Sequence, residues 1–157
     1  MEYSHQELYG GDVRALRMVH TTRIRVRYGE TDAMGYVYYG NYGQYLEVAR
    51  TEAMRAVGVV YNEMEQQGVM MPVREMHLKY RQAAHYDDVL DIVTGVWQYA
   101  GASMIFGYNI EQARDGSLVL FAQTNMAFID RQSRRPVRIP GALREQLEQA
   151  FARPAAQ

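Results

Sequence analysis

The chain contains no cysteine, which excludes disulfides, thiolate metal sites and a cysteine nucleophile. A formal net charge of −1 gives it no general attraction for nucleic acid or an anionic membrane, so neither is an expected partner. No apolar run approaches membrane-spanning length. The first residues lack a basic region followed by an apolar stretch, so a secretory signal is not expected and the cytoplasm is the expected compartment. A GxSxG elbow is missing, which disfavours a serine hydrolase of the α/β type, and so are glycine-rich phosphate loops. The histidines at 5, 20, 77 and 85 show no metal-ligand spacing; no metal and no cofactor are expected.

What is present is ordinary in bulk and specific in one place. The 157 residues are 48% hydrophobic and 22% charged, as in a soluble globular protein. A chain of this length forms one domain and buries about 70% of its unfolded surface. Residues 1–20 have no sustained period and read as an N-terminal extension, with a short helix possible around Asp12 to Met18. The domain proper is expected over 21–157.

The specific stretch runs from Tyr28 to Gly58. Two carboxylates, Glu30 and Asp32, stand in a loop, and six tyrosines fall between Tyr28 and Tyr45. Asn41 with Gln44 three residues on predicts a capping box opening a helix. Tyr42, Tyr45, Leu46, Ala49, Ala53, Ala56 and Val57 fall on one helical face. Glu47/Arg50 and Glu52/Arg55 are expected on the wet side as opposite-charge pairs. Gly58 is placed to end the helix. An acidic loop thus runs into a helix N-terminus, where free N–H groups and the macrodipole favour the negative charge of a developing oxyanion.

Around it the pattern is mostly strand. Thr22 to Tyr28 alternates Ile24, Val26 and Tyr28 against three arginines. A short helix is expected over Tyr61 to Gln67. Strands follow at Val73 to Arg81, Val89 to Gln98 (apolar on both faces), Ala102 to Glu111 and Leu118 to Ile129. Asp115-Gly116 predicts a type I′ hairpin between the last two. Leu143, Leu147 and Phe151 stripe a final helix. One long helix and an antiparallel sheet must bury each other, giving an α+β two-layer domain.

Asp32-Ala-Met-Gly35, Val37, Tyr39, Asn41-Tyr42, Leu46-Glu47 and Ala49-Arg50 together resemble the signature of hotdog-fold acyl-CoA thioesterases, nearest the 4-hydroxybenzoyl-CoA thioesterase-like group. About ten matched positions in order make this far more specific than a lone short pattern. The resemblance covers roughly Thr21 to Phe151. It implies a hotdog fold, in which the sheet wraps the long helix, and a homodimer or homotetramer with sites at subunit interfaces. It also implies hydrolysis of an acyl-CoA to free acid and coenzyme A.

Asp32 matches the family's catalytic acidic residue. Alone, an aspartate beside a glycine more often caps a turn. A thioester carbonyl needs attack by a carboxylate or by a water that a carboxylate deprotonates, and aspartate can do either. Glu30 is expected to be structural. Tyr39 matters through its backbone N–H, which at the matching family position polarises the carbonyl. The tyrosines could line an acyl pocket, although packing explains most of them.

Arg131, Arg134, Arg135 and Arg138 form the basic cluster, and Arg134, Arg135 and Arg138 are candidates for coenzyme A phosphates. A solvated loop is the plain alternative, and Arg135-Pro136 has a family counterpart. A basic run that the hydroxybenzoyl-CoA enzyme carries near the turn before Ser103 is missing here; Ser103 is the remaining candidate contact. The competing function is a non-catalytic acyl-thioester binding protein. A hotdog hydratase would need His five residues after Asp32, where Val37 stands.

Overall fold

The computed structural model describes residues 12–152. Five strands form one antiparallel sheet: β1 (Arg17–Arg25), β3 (Val73–Tyr80), β4 (Val89–Ala100), β5 (Ser103–Gln112) and β6 (Leu118–Ala127), in the order β1-β4-β5-β6-β3. Two two-residue strands, β2 (Val69–Met70) and β7 (Ile129–Asp130), pair separately. The helices are α1 (Tyr42–Ala56), α2 (Tyr61–Gln66) and α3 (Gly141–Ala152). No helix among the described residues is long and apolar enough to cross a membrane.

The apolar stripe of α1 is the reason it sits where it does. Tyr42, Tyr45, Leu46, Ala49 and Ala53 are buried against the inward residues of the sheet, among them Leu90, Ile92, Phe106, Ile110 and Leu120. Ala56 is exposed, one position beyond the contact. Gly58 adopts φ +87°, and the Val59 N–H reaches back to the Met54 carbonyl, closing the helix as expected.

Four expectations need correction. Asn41 does not build a capping box: it lies in a 3-10 turn (Tyr39–Asn41) with helical φ/ψ, and its side-chain amide donates to the Glu30 carbonyl at 2.8 Å. The first strand begins at Arg17 and ends at Arg25, because Tyr28–Glu30 closes into a 3-10 turn. The Asp115-Gly116 connection is no type I′ turn, which needs positive φ at both central residues. Only Gly116 has it, and the Gly116 N–H bonds the Gln112 carbonyl at 2.8 Å in a longer loop. Arg50, assigned to the wet side, is 5% exposed and turned into the protein, whereas Glu52 and Arg55 do pair.

The start of the described chain has its own seat. Val13–Ala15 is a 3-10 turn capped by Asp12, whose carboxylate accepts from the Arg14 N–H at 2.9 Å; it replaces the short helix considered there. Val13 and Leu16 lie on the outer face of the sheet over Gly95 and Gly107, which are directly paired across β4 and β5. Arg14 clamps the turn with two bonds to Glu111, at 2.9 and 2.6 Å.

Candidate active site

The acidic loop is folded by its own backbone. The Asp32 N–H bonds the Tyr36 carbonyl and the Gly35 N–H bonds the Asp32 carbonyl, both at 3.0 Å. Gly35 takes φ +86°, a conformation suited to glycine. The Val37 N–H then anchors the loop to Ala84 at 2.8 Å, and Tyr38 follows with its N–H on the Glu30 carbonyl at 3.0 Å. Two short turns therefore hold the Asp32 loop against the start of α1.

The two carboxylates differ in their surroundings. Glu30 is 8% exposed and saturated. Its Oε1 accepts from the Arg27 N–H at 2.8 Å and from the Tyr45 hydroxyl at 2.9 Å, and its Oε2 accepts from Arg27 Nη2 at 3.1 Å. Burial works to raise its pKa, but the bonds from Arg27 and Tyr45 outweigh it and hold the carboxyl below its ordinary value. A carboxylate so engaged is a poor base. Asp32 is half-buried and spends Oδ1 on one bond, from the Met34 N–H at 2.9 Å.

Around Asp32 stand the exposed tyrosines. Tyr38 and Tyr39 have ring centroids 4.6 Å apart. The Tyr38 hydroxyl is held above its ordinary pKa, first by its contact with Tyr39 and in part by the charge of Asp32. Among the described residues, the N–H groups of Tyr39 and Gly40 donate to no protein acceptor, as at the open end of a helix. The Tyr39 carbonyl is fixed from behind by the Tyr80 hydroxyl at 3.1 Å.

The basic cluster divides in two. Arg131 donates to the Glu65 carbonyl at 3.3 Å, and Arg134, at φ +60°, points toward Met70 Sδ; both lie beside α2 and β2. Arg135 is exposed, with its carbonyl accepting from the Asp130 N–H at 2.9 Å. Arg138 faces the other way and lines a cavity of about 330 Å³ with Tyr99, Ala100, Gly101, Ile139 and Arg144. Ser103 borders the same turn, its hydroxyl donating to the Ala100 carbonyl at 3.2 Å. Ser103 and Arg138 are therefore brought near one another. No hydrogen bond or ion pair joins any of these residues to Asp32 or Tyr39 among the described residues.

Residues 26–147 match the family described as the Thioesterase-like superfamily. The chain belongs to this superfamily. The acyl-CoA thioester hydrolase YbgC of Escherichia coli O157:H7 is 30% identical over 126 residues, which cover 80% of this chain and 93% of that one. The long-chain acyl-CoA thioesterase FadM of Escherichia coli K12 is 28% identical over 128 residues, 82% of this chain and 96% of its own. Among solved structures, the DHNA-CoA thioesterase of Staphylococcus aureus has a TM-score of 0.80 at 29% identity, covering 83% of this chain and 89% of that chain. The α+β architecture is accordingly the hotdog, with the five-stranded sheet packed on its long helix.

Two residues with a bearing on the site are not marked out by the sequence. Tyr38 was one of six tyrosines with no mark to single it out. Arg144 sits on the wet side of α3, and only the approach of that helix to the β4–β5 turn brings it to Arg138.

Proposed function

We propose that the chain is an acyl-CoA thioesterase in which Asp32 does the chemistry and the Tyr39 N–H polarises the carbonyl. The observation that carries this reading is the contrast between the two carboxylates. Glu30 is locked in three side-chain hydrogen bonds, whereas Asp32 has one and stands by the open helix start. As general base, Asp32 takes a proton from water as the water oxygen attacks the thioester carbon. Charge then develops on the carbonyl oxygen, where a free N–H and the helix dipole stabilise it. The carbon–sulfur bond breaks, coenzyme A leaves as the thiol after taking up the proton, and the acid is released. As nucleophile, Asp32 would attack the carbon itself and form an anhydride that water opens. Single turnover in ¹⁸O-water separates the two, since opening of the anhydride at the Asp32 carboxyl leaves label in the protein.

Ser103 and Arg138, with Arg144 beside them, are suited to the phosphates of coenzyme A; Arg134 and Arg135 would meet it only from a different direction. A homodimer or a dimer of dimers completes the site. Among the described residues strand β3 pairs in the sheet with β6, at the end of the strand order, and Val73, Met76 and Tyr80 are exposed, a surface that a second copy would cover. The test is thiol release over short, long, branched and aromatic acyl-CoAs, with mass measured in parallel by light scattering. Tight binding of acyl-CoA without thiol release would favour the non-catalytic binding protein. An 18.1 kDa particle at micromolar concentration would overturn the oligomer.

A further inference from the structure

Among the described residues two N–H groups stand open at the start of the long helix, and the chemistry of the thioester occupies only that of Tyr39. The two belong to neighbouring peptides that are held differently. The Tyr39 N–H is half of the Tyr38–Tyr39 peptide, whose carbonyl accepts from the Asn41 N–H at 2.9 Å within the 3-10 turn. That turn is fastened to the acidic loop. The Tyr38 N–H donates to the Glu30 carbonyl at 3.0 Å, and the Asn41 side-chain amide donates to the same oxygen at 2.8 Å. The Gly40 N–H is half of the Tyr39–Gly40 peptide. Its carbonyl is bonded from outside the turn, by the Tyr80 hydroxyl of β3 at 3.1 Å and 41 positions away.

In a trans peptide the C=O and N–H point in opposite directions. Tyr80 therefore holds this plane by one edge, while the Gly40 N–H faces away from the Tyr80 hydroxyl at the other. A hydrogen bond received at a carbonyl also polarises its peptide, strengthening the N–H as a donor by about 10–30%. Gly40 is glycine for a steric reason. A Cβ there would stand 2.7 Å from Tyr38 Cε1, so the Tyr38 ring lies along this backbone and walls it on one side. Tyr80 is itself well anchored: it pairs in register with Leu120 of β6, and its ring centroid stands 5.6 Å from that of the buried Tyr42. Partial burial raises its pKa, so the hydroxyl remains a donor through the neutral range.

We propose that the Gly40 N–H is a second donor to the thioester carbonyl oxygen, and that Tyr80 is the positioning residue that aims and strengthens it. The proposal rests on the thioesterase reading and adds two residues to its carbonyl site. As the carbonyl carbon is attacked, charge grows on the oxygen, and each preorganised donor gains in worth. Tyr80 touches no reacting atom; it acts through the Tyr39–Gly40 peptide. Its loss should therefore be felt in the transition state more than in substrate binding.

Tyr80→Phe removes the hydroxyl and keeps the ring against Tyr42, so circular dichroism and mass should match wild type. With the acyl-CoA that wild type turns over fastest, kcat should fall about tenfold and KM should stay within about twofold. The loss is smaller than the roughly 10²–10³-fold of deleting a donor outright, because the N–H itself remains. A second readout needs no turnover. It uses the matching ketone, with a methylene in place of the thioester sulfur and ¹³C at the carbonyl. On binding to wild type the carbonyl resonance should move downfield of the free analogue, and Tyr80→Phe should give back about 10–30% of that shift. A merely structural Tyr80 would lower the melting temperature and leave the bound resonance in place, which overturns the proposal. So does a kcat within about twofold of wild type, or a raised KM with kcat spared. A wild-type resonance that binding leaves unmoved overturns it too. In each of these cases thiol release by wild type leaves the thioesterase reading standing. If wild type releases thiol from no acyl-CoA in a broad panel, that reading fails and the proposal with it.

Discussion

The Tyr45 hydroxyl donates to Glu30 Oε1 at 2.9 Å, tying the second turn of the long helix to the loop that carries Asp32. Both residues are buried, and the contact spans fifteen positions of chain. Burial first, then the bond to Glu30, pushes the Tyr45 pKa up, so the tyrosine remains a donor throughout the neutral range. The pair fixes where the loop sits relative to the helix start. Tyr45→Phe should therefore lower stability by about 1.5–3 kcal/mol, the range for a bond to a charged group. Chemical denaturation should show it as a reduced midpoint at unchanged slope.

The same contact makes a prediction about acid. The folded-state pKa of Glu30 is depressed, so its ionised form favours folding. That contribution is fully present above the carboxyl's ordinary value of 4.5 and is lost as pH falls through the lower folded value. Glu30→Gln should melt below wild type near neutral pH, and the gap should narrow as pH drops below about 4.5. Melting curves taken from neutral pH downward measure it. A gap that stays constant to acid would mean that the charge of Glu30 contributes nothing to folding.

On activity the two carboxylates should separate in the opposite sense. Asp32→Asn keeps an acceptor for the Met34 N–H, so the loop should hold and circular dichroism should not change. Asparagine cannot serve as a base and is a poor nucleophile. Loss of a general base typically costs about 10²–10⁴-fold in kcat. Glu30→Gln should retain a substantial fraction of wild-type kcat in the same assay. If a folded Asp32→Asn protein stays within a few-fold of wild type, Asp32 is not the reacting carboxylate. If Glu30→Gln is inactive while Asp32→Asn turns over, the assignments are reversed.

The sheet and the helix were legible because each rests on a period. Ile24 against Arg23 and Arg25 and the stripe from Tyr42 to Ala53 report burial residue by residue, whereas β5 is buried at every residue from Met104 to Ile110, on both faces. The helix start was not, since Asn41 is a good cap by type but donates to Glu30, a partner eleven positions away that no local pattern reveals. The structural part of Glu30 was anticipated; the identity of Tyr45 as its donor was not. Arg50 shows the same limit from the other side. Its spacing from Glu47 suggested a surface pair, yet burying it beside Tyr108 depends on contacts 58 positions distant. The arginines from 131 to 138 look like one cluster in the chain, and the reversal at Arg134 sends them to two sides.

That division predicts unequal roles for the arginines. Arg138 faces the cavity beside the β4–β5 turn, whereas Arg134 leans on Met70. Arg138→Ala should raise KM for acyl-CoA several-fold and spare kcat, the signature of binding lost equally from ground and transition states. The increase should shrink at high salt, where exposed charges are screened. Arg134→Ala should have the smaller effect. An unchanged KM for Arg138→Ala at low salt would make the loop a solvated surface.

The glycine pair under the N-terminal turn gives the sharpest steric prediction. A Cβ at Gly95 would stand 2.7 Å from Leu16 Cβ and 3.1 Å from the Val13 carbonyl oxygen, and neither is the free end of a flexible side chain. At Gly107 the nearest atom is Leu16 Cδ1, at 2.9 Å, a methyl that a rotamer change can move. Overpacking a filled contact costs about 1–3 kcal/mol when the backbone must shift. Gly95→Ala should reach that range and Gly107→Ala should fall below it. The difference should also appear as proteolysis: lifting the turn breaks the Arg14–Glu111 clamp and exposes the chain around Val13. A chain truncated before Arg17 should tolerate both alanines alike, because Leu16 and Val13 are then gone. Equal losses for the two alanines in the full-length chain, or a Gly95→Ala penalty that survives truncation, would place the cause within the sheet rather than in the turn that covers it.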